Sequence, residues 1–319
     1  GNSPEDPGDY QNDAAQCLIN ESCKDAEKIG TAYGGGIGIR KAVLAVWDNA
    51  EFGCELAYMA AKYTKGEVLL ADLDLLAPKA DLFLKIRKTL PKPVHTNIYG
   101  HTGFDFVIDA IGKNALTPDL LRQAVNTGND LKNLYILTGN DRLDNYEYYS
   151  EDSVPKLIDK SLRCFDIIIL LVNKSIYDAF TLAALLKSDI NIAAVKGDVD
   201  KLREFNTYIA FLKERQHLPM ERTKFILFEY DKASSISLSE ASEATQGNLL
   251  GKVSISRKRT MYRNLKGLYA AHMEKEIEGE YIKILDKLGL LQAMGTFGKL
   301  GMAFSRFFGV RQTILQENR

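Results

Sequence analysis

Two small groups of residues near the start of this sequence have the types and spacing to do chemistry. Asp48, Asn49, Gly53, Cys54 and Glu55 lie in VWDNAEFGCEL, directly after an apolar run. Asp72 and Asp74 close a second apolar run in GEVLLADLDLLAP. A glycine turn between a buried strand and a helix can aim backbone amides and a helix N-terminus at an anion. Carboxylates at the end of a neighbouring strand can hold a divalent cation or order a water. The first turn is badly equipped for phosphate. It has a single glycine and no lysine, and Asp48, Glu51 and Glu55 would meet a phosphate tail with like charge. For Asp72 and Asp74 two readings stand, a remnant of metal or water binding, or helix capping and loop hydrogen bonding. Cys54 reads as a thiol activated at a helix N-terminus or, more simply, as a small inert filler.

The pattern around these residues supplies the elements to hold them. Residues 43–46 are apolar throughout, as in a strand buried on both faces. Residues 47–53 read as a turn, and residues 55–63 as a helix with Leu56, Met59, Ala60 and Tyr63 at helical spacing. Residues 67–71 form the next strand and residues 79–88 a helix. Further strands are expected over 133–137, 166–172, 190–195, 223–228 and 252–255. Helices fall between them over 154–164, 177–187 and 201–215. This alternation predicts an α/β fold, a doubly wound and mostly parallel sheet with helices on both faces.

Two stretches imitate motifs. GGGIGIRK (34–41) looks like a phosphate loop but precedes the first strand, so it reads as a lead-in. FDFVIDAIG (104–112) looks like a strand ending near an aspartate, but TPDLLRQAVN follows at once, with Thr117 as N-cap and Pro118 at the first helical position. A helix is the better reading there. Residues 140–152 read as a tyrosine-rich polar loop, and residues 263–288 as one long helix.

Composition narrows the function classes. Of 319 residues, 45% are hydrophobic and 26% charged, enough for a large core and a soluble surface. Net charge is −1, so any anionic partner must be met by a local patch. Four cysteines without a CxxC pair fit a reduced, cytoplasmic protein. No apolar run is long enough to span a bilayer, and no stretch reads as a signal peptide. His95 and His101 lack a cysteine or acidic cluster nearby and read as surface residues, so no metal site is expected. Residues 1–38 read as a flexible acidic tail, 39–268 as the α/β domain and 269–319 as C-terminal helices.

Taken in order, VLAV, GCELAYMAA, GEVLLADLDLLAPKADLFL, LTPDLLRQAV, NLYILTGNDR, KLIDKSLRCFDIIILLV, LLKSDINIAAVKGD and LLGKVSISRKRTMYRNLKGL resemble the ParA/MinD-like group of P-loop ATPases. Within that group they resemble the TadZ/CpaE-like branch, which positions pilus and secretion machinery. The resemblance covers roughly residues 41–268, and GEVLLADLDLLAP is its most specific block. It implies a P-loop NTPase fold, ATP with magnesium, and dimers glued face to face by nucleotide phosphates.

The departures from the family pattern bear on chemistry. Aligned at Gly53, the family's phosphate-binding lysine becomes Cys54, its magnesium-binding hydroxyl becomes Glu55, and the extra lysine at the loop start is missing. The strand expected to end on an aspartate has Leu171 there, with Asn173 beyond. The base-recognising asparagine is replaced by FEYD (228–231). A carboxylate pair without its lysine and hydroxyl partners cannot assemble phosphoryl-transfer chemistry. The expectation is therefore a pseudo-ATPase with no catalytic residues and no cofactor. It would scaffold protein components of a membrane-bound pilus, secretion or conjugation machine from the inner face of the membrane. Homodimers would then have to form through side chains or the C-terminal helices. One alternative is a ParA-type ATP-binding protein whose noncanonical loop borrows Arg40 or Lys41. Another is a partition-like nucleic-acid module using Arg257, Lys258 and Arg259, though a solvated face is the plainer reading of that triplet and nucleic acid the less expected partner.

The last stretch, 290–310, is amphipathic. Phe297, Leu300, Phe304, Phe307 and Phe308 share one side of a helical wheel, with Lys299, Arg306 and Arg311 elsewhere. That profile suits a membrane surface and resembles the C-terminal targeting helix of MinD-type proteins. Packing back on the domain and contact with a partner or second copy are the other two readings.

Overall fold

In the computed structural model, the structure describes residues 41–86, 103–128, 130–140, 143–265 and 267–291. Strand β1 (Ala42–Trp47) is buried along its whole length, so its alternating side chains feed two cores. Val43, Ala45 and Trp47 enter one, and Ala42, Leu44 and Val46 enter the other. Helix α1 (Ala50–Tyr63) covers the second face and leads to β2 (Val68–Asp72) and the short α2 (Ala80–Leu84). The chain continues through α3 (Phe104–Gly112), α4 (Pro118–Ala124), β3 (Asn126–Thr127), β4 (Leu134–Leu137) and a 3-10 turn (Leu143–Tyr148). Next come α5 (Ser153–Cys164), β5 (Ile167–Val172), α6 (Ala179–Lys187), β6 (Ile190–Val195) and α7 (Val199–Gln216). The last elements are β7 (Thr223–Tyr230), α8 (Leu238–Ala244), β8 (Leu249–Ser254), α9 (Arg257–Asn264), a 3-10 turn (Tyr269–His272) and α10 (Lys275–Lys287).

The eight strands form one sheet in the order β3-β4-β2-β5-β1-β6-β7-β8. Every pairing is parallel except that of the two-residue β3 with β4. Helices α3 to α8 serve one face, and α1, α2 and α10 the other. This is the doubly wound α/β fold that the alternation of apolar runs predicts.

Three local expectations change. Helix α1 begins at Ala50, so residues 50–54 are helical rather than part of a turn. The expected helix over 263–288 is broken into the end of α9, a 3-10 turn and α10, and α10 packs on β8 and α1. The polar stretch after β4 winds into a 3-10 turn, because Asn145 and Tyr149 donate to the buried carboxylate of Asp105. FDFVIDAIG is helix α3, and Thr117 caps α4 by accepting the N–H of Leu120. No helix among the described residues is long and apolar enough to cross a membrane.

Candidate functional site

Because β1 lies between β5 and β6, the winding reverses beside it, and a crevice is expected beyond the carboxyl ends of these strands. Only Asp48 and Asn49 separate β1 from α1. Asp48 takes a left-handed backbone (φ 59°), which a short polar side chain tolerates, and its N–H donates to Val172 O at 3.0 Å. Asn49 is the N-cap of α1: its Oδ1 accepts the Phe52 N–H at 2.9 Å, and its Nδ2 donates to Ala194 O at 2.9 Å. The turn is thus pinned to β5, β6 and α1 together. Burial raises the Asp48 carboxyl, and of the cations that oppose this, Lys174 and Lys201 are both engaged by Glu204, which Lys174 above all holds down at about 2.

The aromatic residues flanking the turn face inward. Trp47 is fully buried, 5.0 Å from Phe205 in an edge-to-face pair, and its Nε1 donates to Lys174 O at 3.3 Å. Phe52 is also fully buried, between Phe228 (5.9 Å) and Tyr281 (5.6 Å).

Gly53 sits against the strands beneath α1. Val46, Leu171 and Asp72 are register partners across β1, β5 and β2. A Cβ on Gly53 would lie 2.2 Å from Leu171 Cδ2 and 3.3 Å from Val46 Cβ. Leu171, where the resemblance leads one to expect an aspartate, is therefore what a side chain at residue 53 would have to displace. Two features that look separate in sequence are one packing contact.

Asp72 is wholly buried, and its Oδ2 accepts the N–H groups of Lys79 and Ala80, each at 2.7 Å. Its Oδ1 takes the Asp74 N–H at 3.3 Å. Burial pushes this carboxyl up to about 6, with the backbone donors pulling the other way. Asp74 accepts the Ala77 N–H at 3.3 Å and lies 3.9 Å from Lys79 Nζ; burial raises it as well. Both aspartates thus shape the β2–α2 loop and the start of α2. Among the described residues no cluster of His, Cys, Asp or Glu could hold a metal ion.

Cys54 and Glu55 face the C-terminal elements. Burial pushes the Cys54 thiol well up, and Asp72 and Glu55 add to it, which is the environment of an inert thiol. Glu55 receives Arg259 in a two-pronged ion pair, Nε to Oε1 at 2.8 Å and Nη2 to Oε2 at 3.1 Å, and Tyr281 OH donates to Oε2 at 2.7 Å. The guanidinium lies over Phe228 (4.6 Å) and Tyr269 (4.9 Å). Burial raises the Glu55 carboxyl to about 7 while Arg259 opposes it. A cavity of about 20 Å³, roughly the room for one water, remains beside Cys54, Glu55 and Arg259.

This corrects the reading of residues 257–259 as one basic surface. Arg259 is 0% exposed. Nearby Arg263 is also engaged, to Glu51 at 2.8 Å and to Glu229 at 3.6 Å. Glu229 reaches it from a bulge in β7 where its φ is 54°. Arg257 is exposed and Lys258 half-buried. Nothing in the sequence links Arg259 to Glu55, 204 residues earlier; only the fold does. Lys41 is at the amino end of β1, with its Nζ on Leu162 O, a strand's length of about 20 Å from the turn that the alternative ATP-binding reading has it serve. Arg40, His95, His101 and the phenylalanine-rich stretch, including Phe297, Lys299, Leu300, Phe304, Arg306, Phe307 and Phe308, lie outside the described residues.

No protein-family model and no curated protein sequence matches the chain. Solved structures do. A ParA family ATPase from Chlorobium tepidum TLS aligns at 17% identity over 78% of this chain and 98% of its own, with a TM-score of 0.62. The cell division ATPase MinD of Pyrococcus furiosus aligns at 14% identity over 80% of this chain and 100% of its own, also at 0.62. The septum site-determining protein MinD of Pyrococcus horikoshii OT3, solved with Mg-ADP, aligns at 16% over 78% of this chain and 96% of its own, at 0.60. The fold is that of the ParA/MinD ATPases.

Proposed function

We propose that this chain is a non-hydrolysing scaffold on a ParA/MinD-like fold, of the TadZ/CpaE-like kind. It localises or assembles a membrane-associated pilus, secretion or conjugation machine by binding its protein components. The observation that carries this reading is the two-residue turn between β1 and α1. A loop that wraps phosphates needs several residues with free amides, whereas here Asn49 caps α1 at once and the Gly53 N–H donates to Asn49 O.

The residues present do not fit a magnesium nucleotide. Glu55 is committed to Arg259, Asp72 to the start of α2, and Leu171 fills the space beside Gly53. Near the end of β7, the Arg263 bridge to Glu51 and Glu229 spans the place where the resemblance puts base recognition. Two assays test the reading. Phosphate release from Mg-ATP stays at background, with or without liposomes; turnover that disappears in Asp72→Asn would contradict it. Anionic liposomes pellet the full chain more than a chain ending at residue 289. Equal pelleting would remove the membrane from the account.

A further inference from the structure

Arg259 sits in a box that its own helix does not help to build. Glu55 of α1 takes the flat fork, from Nε at 2.8 Å and from Nη2 at 3.1 Å. The end of β8 takes the third nitrogen, Nη1 donating to Ser254 O at 3.3 Å. The guanidinium lies 4.6 Å from the ring of Phe228 on β7 and 4.9 Å from that of Tyr269 in the 3-10 turn. Tyr281 of α10 donates to Glu55 Oε2 and so fixes the carboxylate. A carboxylate only 4% exposed, a carbonyl and two aromatic faces thus converge on one planar cation. An ammonium can neither fork onto the carboxylate nor lie flat on the rings, so the box selects guanidinium.

Helix α9 has little else to hold it. Arg259 is its one buried residue. Met261 is exposed, as are Ile255 before the helix and Leu265 after it. Arg263 is partly exposed in its pairs with Glu51 and Glu229, and pairs of that kind hold weakly. Tyr262 rests half-buried on the backbone of Gly267 and beside the Tyr269 ring. A buried ion pair is also a poor fastener, since apolar side chains of similar volume hold elements together as well or better. Fastening α9 therefore does not account for the box.

We propose that the box is a binding site for an arginine side chain of a protein partner, filled in the resting chain by Arg259. An arriving guanidinium takes the same fork and the same two rings, so Glu55 stays paired and the body keeps its packing. Arg259 leaves with α9, and the contacts given up are those of Arg263 and Tyr262. Exchange in this way turns the binding of a partner into the release of a helix. The scaffold reading enters only in naming the partner as a protein component of the machine.

Two measurements on the full chain, without nucleotide, test this. In Arg259→Ala, ethylguanidinium far below denaturing concentrations raises the melting temperature saturably, and ethylammonium does not. If that variant does not fold alone, refolding in ethylguanidinium but not in ethylammonium is the same result. Adding Glu55→Gln abolishes the response, and the wild type responds to neither cation. The second measurement is hydrogen exchange in the wild type. N-acetylarginine amide at tens of millimolar, above the millimolar effective concentration of a tethered group, speeds exchange of the α9 amides several-fold. It leaves α10 unchanged, and N-acetyllysine amide has no effect on either helix. No response in Arg259→Ala, equal effects of the two cations, a response that survives Glu55→Gln, or an α9 indifferent to the arginine compound overturns the proposal. Each of these leaves the scaffold reading standing, whereas Mg-ATP turnover by the wild type overturns that reading and leaves the box.

Discussion

Arg259 is the residue on which the C-terminal elements hang. Its guanidinium pairs with Glu55 of α1, which also accepts the Tyr281 hydroxyl from α10, and it stacks on rings from β7 and the 3-10 turn that follows α9. Removing one member of such a pair leaves the other charge buried and unpaired. Arg259→Ala should therefore lower the free energy of urea unfolding by about 3–5 kcal/mol, and Glu55→Gln in the same chain should recover part of it. A loss within about 0.5 kcal/mol, the range of surface substitutions, would mean that the contact does not hold these elements. Asp72 makes a second test at this scale. Its value in the folded chain, about 6, lies above that of an unfolded aspartate, so the native state binds this proton more tightly. That contribution is complete below the unfolded range and is lost as pH rises through about 6. Asp72→Asn keeps an acceptor for Lys79 and Ala80 and removes the titration. Wild type should lose about 2 kcal/mol relative to Asp72→Asn between about pH 4 and about pH 7 in parallel urea titrations. Parallel stability curves would refute this.

Among the elements, the contact between α1 and β5 explains most. Gly53→Ala gains helix propensity but puts a methyl into Leu171, and overpacking of a full core outweighs that gain. The substitution should cost about 1–3 kcal/mol in urea unfolding, and Leu171→Ala should relieve it in the double variant rather than add to it. Simple additivity would show that the two residues do not share the space. The elements were largely legible: the apolar runs over β1, β2, β5 and β6 have no polar face to offer water, so they read as buried parallel strands. The start of α1 was not legible. The family pattern drew the turn out to Gly53, whereas Asn49 caps the helix four residues earlier. The C-terminal elements were misread as one helix because their lysine and glutamate content suits a helix throughout; what breaks it is the docking of Tyr269 and Ala270 on the core. Arg259 was misplaced for a related reason. A basic triplet looks like a surface until its carboxylate partner, far off in sequence, is known.

For the molecule as a whole, the sheet and its two cores have the ParA/MinD fold, and the residues that bear on nucleotide chemistry lie at the carboxyl end of the sheet. There Trp47 and Phe52 are buried, the β1–α1 turn is two residues long, and three carboxylates are taken up by internal contacts: Glu51, Glu55 and Asp72. In this account the frame is kept for its surfaces rather than for a nucleotide. Titration calorimetry of the full chain with ATP in the presence of magnesium tests this most directly. The account predicts no saturable heat at micromolar ATP. Saturable binding that is abolished by changing Asp48 or Gly53 would contradict it.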